Sequence, residues 1–258
     1  MRKKLIRHLI LVLFFTLSAG CSGGQPEAAL TTPVGDEGSV KEAQSTETPE
    51  ETPGIESVPC ELPLPGPDDW TVILCEQFED NRNEWEVETQ DNPYAQYTSS
   101  IRDGKFVVEY EAKGFADYKH TALTWFTIGE VKDFALSIKG NIDTPYRSGV
   151  SWGIAFRGDG DSFYLFSIFK NGTYKFEIFE DDEWATLISS RDINGLRLGE
   201  ENTLRIEAGG QDFYFSINGT MVNQFNGAKL DREEILLVVS ANEGMSAVFT
   251  FDDVVLQK

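Results

Sequence analysis

The sequence holds few of the residues that metal and redox chemistry require. Its 258 residues include two histidines and three cysteines, without a Cys-x-x-Cys spacing or a zinc ligand set. It has no phosphate-binding glycine loop, no dinucleotide fingerprint, no long stretch with a helical period and no internal repeat. The apolar run at residues 9–17 is too short to cross a bilayer as a helix, which takes about 20 residues. These absences argue against zinc-dependent and dinucleotide-dependent enzymes.

Basic residues are also scarce. Lys and Arg number 22 against 43 Asp and Glu, which gives a formal charge of -21 at pH 7. Arg2, Lys3, Lys4 and Arg7 all lie at the N-terminus, so their removal with a signal segment would leave about -25. A chain this acidic repels nucleic acid and anionic head groups, because both need Lys or Arg to neutralise phosphate. We therefore expect no nucleic-acid partner.

The N-terminus has the order of an export signal: a basic start, the apolar run and then small residues. Residues 17–21 (LSAGC) resemble a bacterial lipobox, with Ser18 where Leu is commoner. The alternative is a cleaved secretory signal in which Cys21 has no special role. We expect residues 1–20 to be a lipoprotein signal peptide and Cys21 to carry the lipid (palmitate). The protein would then face outside the cytoplasm, anchored to a membrane without crossing it.

Composition separates a linker from a domain. Residues 21–58 are dominated by Ser, Thr, Pro, Gly and Glu and contain no aromatic residue. Such a segment cannot bury enough apolar surface to offset its chain entropy, so we predict a disordered acidic spacer. Nearly all aromatic residues follow it, and residues 59–258 are long enough for one sandwich domain with a substantial core.

The cysteines fit export. With Cys21 lipidated, Cys60 and Cys75 remain as an even pair in a compartment where disulfides persist. A bridge between them would stabilise the fold by roughly 3 kcal/mol in the chain-entropy model. Neither their spacing nor a neighbouring histidine supports the alternative of a metal or redox site.

Short runs of alternating polarity, punctuated by Gly, Asn and Asp, predict an all-β protein built as a two-sheet antiparallel sandwich. The predicted strands are residues 72–78, 105–112, 121–128, 134–141, 150–157, 163–169, 173–179, 184–189, 203–207, 212–218, 221–225, 235–241 and 247–256.

Turn lengths assign side chains to the two faces of one sheet. A two-residue turn at Asn171-Gly172 pairs Lys170 with Thr173, and a loop at residues 158–161 pairs Arg157 with Ser162. The face predicted to lie in the core carries Val150, Trp152, Ile154, Phe156, Phe163, Leu165, Phe169, Phe176 and Ile178. The opposite face is predicted to carry Ser151, Gly153, Ala155, Arg157, Tyr164, Phe166, Ile168, Lys175, Glu177 and Phe179. A turn at Asp181-Asp182 adds Trp184 and Thr186 to it.

That second face mixes small, aromatic and charged residues. The mixture suits a shallow groove that a ligand fills. The alternative is that the N-terminal segment or a long loop covers it.

Several segments carry a resemblance to a known superfamily. They are Phe78-Glu79-Asp80 with Trp85, residues 149–176 (GVSWGIAFRGDGDSFYLFSIFKNGTYKF), Trp184 with Leu187, and residues 202–206, 213–219 and 249–256. Over residues 70–258 this order resembles the concanavalin A-like lectin/glucanase sandwiches, closest in appearance to the laminin-G-like and keto-disaccharide-hydrolase-like branches. The resemblance implies a jelly roll with a carbohydrate-binding face, although the fold hosts lectins, hydrolases and adhesion modules alike.

The sequence offers little catalytic chemistry. Glucanases of this superfamily carry Glu-x-Asp-x-x-Glu on one strand, and residues 180–183 (EDDE) approach it only within a probable turn. Glu177 is the one candidate carboxylate on the groove face, and a second would have to come from a distant loop. Residues 149–153 (GVSWG) match Gly-x-Ser-x-Gly but run into a strand rather than a strand-to-helix turn. Asp159 and Asp161 are weak Ca²⁺ candidates, because a site needs about six oxygens or more.

The sequence thus predicts a lipid-anchored, noncatalytic carbohydrate-binding domain that needs no cofactor. Sugar rings would stack on Tyr164, Phe166, Phe179 and Trp184. Arg157, Lys175 and Glu177 would bind hydroxyls or an anionic substituent. Two alternatives remain: a glycoside hydrolase that uses Glu177, and a structural or protein-interaction domain whose groove is filled internally.

Overall fold

The computed structural model describes residues 70–114, 122–192 and 195–258, and every regular element in them is a β-strand. The described residues contain no helix with the length and apolar character needed to cross a membrane. They all belong to one compact unit, Glu56–Lys258. The fold class predicted from the alternating runs is confirmed.

Nine strands form the larger antiparallel sheet. In chain order they are β1 (Val72–Glu76), β2 (Thr89–Asp91), β3 (Ala95–Arg102), β4 (Lys105–Ala112), β6 (Phe134–Asp143), β11 (Asn202–Gly209), β12 (Asp212–Ile217), β13 (Thr220–Asn226) and β15 (Ser246–Gln257). Their spatial order is β13-β12-β11-β6-β15-β4-β3-β2, and β1 also pairs with β15.

Six strands form the second antiparallel sheet. They are β5 (Ala122–Glu130), β7 (Val150–Gly158), β8 (Phe163–Phe169), β9 (Thr173–Glu180), β10 (Glu183–Asp192) and β14 (Glu234–Ala241). The order β10-β9-β8-β7-β14-β5 places β10 and β5 at its edges. The non-sequential order in both sheets brings strands far apart in sequence side by side, as in a jelly roll.

The core lies between the sheets and is rich in aromatic rings. Trp152 packs edge-on against Phe251, with ring centroids 5.3 Å apart. A Cβ atom at Gly140 would lie 2.7 Å from the Trp152 ring, so only glycine lets this indole approach β6. Phe166 stacks on Phe215 at 4.3 Å. These contacts tie the two sheets together, because each ring pair joins one sheet to the other.

The register of β8 differs from the prediction by one residue. Phe166 lies opposite Phe176, and Tyr164 lies opposite Ile178. The hairpin loop has three residues rather than two: Phe169 accepts a hydrogen bond from the Gly172 amide, and Gly172 has a φ of 87°. Such three-residue loops with glycine in the left-handed region are the next most common hairpin connection.

The prediction for the connection before β8 is also wrong, by one residue in the opposite direction. Phe156, not Ala155, lies opposite Tyr164, so this loop is one residue shorter than predicted. The β7–β8 loop is one residue shorter than predicted and the β8–β9 loop is one residue longer. Strand β8 is therefore shifted by one residue relative to both neighbouring strands. The two turns therefore agreed with each other although both counts were wrong, since a one-residue slip exchanges the two faces of a strand.

The slip reverses the predicted faces of β8 alone. Tyr164, Phe166 and Ile168 are buried between the sheets, while Phe163, Leu165 and Phe169 lie on the outer face. The predictions for β7 and β9 are confirmed for Trp152, Ile154, Phe156, Phe176 and Ile178, which lie in the core.

Arg157 departs from the predicted alternation for a different reason. It has a φ of 53° and is an extra residue between Phe156 and Gly158 in the pairing of β7 with β14. Such a bulge redirects the side chain that it carries. The guanidinium is 2% exposed, lies over the Phe213 ring and bonds to the Lys132 and Gly210 carbonyls. Arg157 is thus buried against the other sheet and not in the predicted groove.

Two strands were not predicted. β2 and β3 are polar, and β3 reads AQYTSSIR. Only Ala95 and Ser99 of β3 are buried. The Ser99 hydroxyl donates a hydrogen bond to the Glu86 carbonyl at 2.6 Å. Pairing partners rather than hydrophobic pattern make this segment a strand.

Candidate functional site

The outer face of the six-stranded sheet carries a second hydrophobic cluster. Its buried members are Ala155, Phe163, Leu165, Phe179, Leu236 and Val238. Leu123, Trp125 and Trp184 are partly buried and pack against them. A sheet face turned away from the core is normally polar, and a contiguous apolar patch on it marks an interaction site.

Four aromatic side chains form a row on this face, which we call the aromatic row: Trp184, Phe179, Phe163 and Trp125. Adjacent ring centroids lie 5.2 Å apart for Phe179 and Trp184, 5.4 Å for Phe163 and Phe179, and 6.1 Å for Trp125 and Phe163. Phe163 and Phe179, in the middle of the row, are buried, whereas the two tryptophans at its ends are half-exposed. The row therefore presents indole surface to solvent at both of its ends.

Beside Trp184 lies the first cleft, with a volume of about 390 Å³. Small residues of β7, β8, β14 and the adjoining turn form its floor: Gly149, Ser151, Ser167 and Ser240. Leu123 and Phe169 also line it, as do the polar side chains of Lys175, Glu177 and Asn242. Hydroxyl, amide and charged groups thus stand next to an indole ring, which is the usual make-up of a small-molecule site.

The charged groups of the first cleft are held in place. Glu177 accepts a hydrogen bond from the Thr186 hydroxyl at 3.2 Å, and its carboxylate lies 3.5 Å from the Lys175 ammonium. The same ammonium lies 5.6 Å from the centre of the Phe169 ring. Lys175 and Glu177 lie two residues apart on the same face of β9. The Asp181-Asp182 turn places Thr186 opposite Glu177, as predicted.

The second cleft lies at the β5 edge and has a volume of about 510 Å³. Trp125 and Phe163 of the aromatic row line it, and Leu123 lines both clefts. Tyr97 of β3 also lines this cleft. Its hydroxyl donates a 2.6 Å hydrogen bond to Glu88, and burial together with this bond raises the pKa of Tyr97. That ring is therefore fixed in a neutral, oriented state.

Acidic groups characterise the second cleft. Glu86 and Glu234 line it, together with the side chain of Asn92. Burial raises the pKa of Glu234, and the negative charges of Asp159 and Glu130 add to this effect. Glu130 lies directly opposite Glu234 in the pairing of β14 with β5. Like charges directly opposite each other across two strands are destabilising.

The structure brings together only part of the predicted binding set. Lys175, Glu177, Phe179 and Trp184 share the outer face as predicted. Arg157, Tyr164 and Phe166 were wrongly placed there. Arg157 instead donates to Asp133 at 2.8 Å, and Tyr164 accepts a hydrogen bond from the Lys229 amide at 2.7 Å. Burial lowers the pKa of the Arg157 guanidinium, while Asp133 opposes that shift.

Sequence analysis missed Trp125, Phe163 and Glu234. Phe163 was missed because the one-residue error in the register of β8 placed it on the core face. Trp125 had a readable signal, because Leu123 and Trp125 alternate with Thr124 and Phe126 along β5. Glu234 had none, since its role depends on Glu86 and Tyr97 from a distant segment.

Two weaker predictions concern Ser151 and the aspartates of the β7–β8 loop. The strand β7 begins at Val150 and runs through Ser151, whose hydroxyl lies 2.6 Å from that of Ser240, so the Gly-x-Ser-x-Gly match is not a nucleophile elbow. Asp159 accepts hydrogen bonds from the Asp161 and Ser162 amides and pairs with Arg232 at 3.1 Å. Among the described residues no group of three or more His, Cys, Asp or Glu side chains is placed to hold a metal ion.

Several predictions fall outside the described residues. They concern the signal peptide, Cys21, the linker and Cys60. Cys75 lies half-buried on β1. The Cys60–Cys75 disulfide and the lipid anchor remain predictions.

Similarity to known proteins lies in the fold. No protein-family model matches the sequence, and no curated protein matches it. A GlcNAcα1-4Gal-releasing endo-β-galactosidase from Clostridium perfringens superposes with a TM-score of 0.58 at 10% identity over 76% of this chain. This chain covers 64% of that enzyme, less than two thirds of its length.

Two laminarinase catalytic domains are similar over nearly their whole length. That of Thermotoga maritima MSB8, solved with cetyltrimethylammonium bromide, has a TM-score of 0.55 at 11% identity, and covers 74% of this chain and 99% of its own. The endo-1,3-β-glucanase domain of Thermotoga petrophila RKU-1 has a TM-score of 0.53 at 11% identity, with 74% and 98% covered. The chain thus shares the two-sheet fold of these domains, which is the fold that the resemblance seen in the sequence implies.

Proposed function

We propose that the domain binds carbohydrate, without catalysis, on the outer face of its six-stranded sheet. The observation that carries this proposal is the aromatic row, whose half-exposed Trp184 stands at the edge of a polar cleft. A sugar ring has an apolar face and a rim of hydroxyls. It fits a site in which an indole covers the face and polar groups meet the rim.

The first cleft supplies both kinds of group. Its floor of small side chains leaves space above β7, β8 and β14, and Asn242, Lys175 and Glu177 provide donors and acceptors around that space. The fold neighbours that act on galactosides and glucans support the proposal at the level of fold. They do not carry it, because one fold hosts many functions.

The arrangement of carboxylates supports binding rather than hydrolysis. Glycosidases generally need two carboxylates across the scissile bond. Glu177 is the sole carboxylate among the described residues that line the first cleft, and it is engaged by Lys175 and Thr186. We also propose that the domain is related to the laminin-G-like and keto-disaccharide-hydrolase-like branches of the superfamily.

The proposal is tested by screening the full-length chain on a glycan array and then measuring the best ligand with the Trp184→Ala variant. We expect binding to weaken about five-fold, because loss of one stacked ring costs on the order of 1 kcal/mol. Tyr214→Ala is the matched control. Tyr214 is an aromatic residue that is 40% exposed on the nine-stranded sheet, and its loss should leave affinity unchanged.

Three results would contradict the proposal. One is the absence of binding to any glycan, and another is equal weakening by Trp184→Ala and Tyr214→Ala. The third is release of new reducing ends from the bound glycan by the wild-type chain, which would show hydrolysis instead. In that case the Glu177→Gln variant tests the alternative of a glycoside hydrolase that uses Glu177, because it should abolish hydrolysis and spare binding.

We also propose that this binding takes place at a membrane surface outside the cytoplasm, with the chain tethered through Cys21. The Cys21→Ser variant should leave the membrane fraction or retain an uncleaved signal, because no thiol remains to be acylated. Fractionation with mass spectrometry of the product checks this. Unchanged membrane association together with an unchanged processed mass would exclude the tether.

A further inference from the structure

The two clefts on the outer face differ in charge. The first cleft contains a cation and an anion, Lys175 and Glu177, whose charges offset each other at 3.5 Å. The second cleft is lined by Glu86 and Glu234 and by no Lys or Arg among the described residues. Within 10 Å or so, charges on a protein surface are only partly screened at physiological salt. The second cleft therefore has a negative potential that the first lacks.

Neighbouring groups reinforce this negative potential around Glu234. Glu130 faces it across the β14–β5 pairing, and Asp159 lies near it from the β7–β8 connection. Basic groups of the adjoining segments are already paired, Arg232 with Asp159 and Lys132 with Asp231. Glu234 thus stands among carboxylates, and a cation that entered the cleft would relieve their repulsion.

The walls of the second cleft suit a cation carried on a ring. The half-exposed Trp125 and Tyr97 both line the space. Indole and phenol faces attract cations through their negative π-surface. Thr127, which is exposed, also lines the cleft, and its hydroxyl can bond a hydroxyl of a ligand. Ammonium, hydroxyl and apolar ring face are together the groups of an amino sugar.

The geometry points to the second cleft as a subsite for a sugar that bears a free, protonated amino group, in a chain that continues into the first cleft. Leu123 borders both clefts, so one oligosaccharide can contact both without leaving the sheet face. This inference rests on the proposed carbohydrate function and adds the class of substrate: partly or fully de-N-acetylated amino-sugar polymers. N-acetylation would remove the charge and leave Glu86 and Glu234 unneutralised.

The test is calorimetric titration of the full-length chain at about pH 6, which lies above the ordinary pKa range of a Glu carboxyl group. The probes are glucosamine tetramer, N-acetylglucosamine tetramer and a neutral glucan tetramer. We expect glucosamine tetramer to bind about 5-fold or more tightly than its N-acetylated form, as one charge pair near the surface supplies about that factor. This preference should shrink with added salt.

Glu234→Gln should remove most of the preference, because the ammonium then loses a carboxylate that it would neutralise. Glu111→Gln is the matched control, because it removes the same charge from an exposed position on β4 of the other sheet. Equal binding of the two amino-sugar tetramers would overturn the inference, as would a preference that Glu234→Gln leaves intact. Equally tight binding of tetralysine would overturn it too, since the cleft would then recognise any ammonium. Neutral-tetramer binding that is sensitive to Trp184→Ala leaves the proposed function standing in each of these cases.

Discussion

Replacing Arg157 by Met should lower the free energy of unfolding by about 2–4 kcal/mol. The Arg157 side chain is 2% exposed and donates to the Lys132 and Gly210 carbonyls and to Asp133. Methionine fills a similar volume but donates nothing, so the hydrogen bonds to the Lys132 and Gly210 carbonyls are lost. Asp133, whose side chain is 49% exposed, can bond water instead. Denaturant unfolding of the full-length chain measures the change.

Two further variants isolate the cause. Arg157→Lys keeps the charge but cannot bond all three acceptors in the same planar geometry, so we expect a loss between those of wild type and Arg157→Met. Arg82→Met is the control, because Arg82 pairs with Asp80 on the exposed surface and its loss should leave the unfolding midpoint unchanged. An Arg157→Met variant as stable as wild type would show that this buried guanidinium does not join the sheets.

Replacing Phe166 by Ala should lower the free energy of unfolding by about 3–5 kcal/mol. The Phe166 ring is fully buried and stacks on Phe215, with ring centroids 4.3 Å apart. Its centroid lies 5.6 Å from that of the Tyr174 ring. Its removal leaves a cavity between two packed sheets that cannot close around the gap. The affinity of the folded variant for the glycan found on the array should stay unchanged, because no part of the ring reaches the outer face.

This prediction separates the observed register from the one expected from turn lengths. With Phe166 on the outer face, Phe166→Ala would weaken glycan binding and change stability little. Tyr214→Ala serves as the control for stability, since surface substitutions stay within about 0.5 kcal/mol. Weakened binding with a stability loss below about 1 kcal/mol would restore the earlier face assignment.

The amphipathic pattern of the chain was sufficient to predict the architecture. Alternation with period two is a local property, and it identified the strands that contribute the core, including β7 with Trp152 and β9 with Phe176. The same pattern failed for β3, whose polar residues become a strand through pairing with β4. The Asp181-Asp182 turn was read correctly because both residues adopt positive φ in a two-residue turn, which placed Trp184 beside Phe179.

The residues of the candidate site also divide into those that local patterns predicted and those that they did not. Lys175, Glu177, Phe179 and Trp184 were predictable because one strand and one tight turn carry them all. Register across β8 was not, since two loops differed by one residue each and a strand apolar on both faces gives no local penalty for the wrong choice.

By itself the sequence determined an all-β sandwich, its strands and the half of the first cleft carried by β9 and β10. Only the tertiary structure decided that Arg157 turns inward at a bulge, that Tyr164 and Phe166 belong to the core, and that a second, acidic cleft exists. The physical reason is range. Alternation and turn chemistry act over a few residues, whereas that cleft needs Glu86 and Tyr97 to meet Trp125 and Glu234, and only the packing of one sheet on the other brings them together.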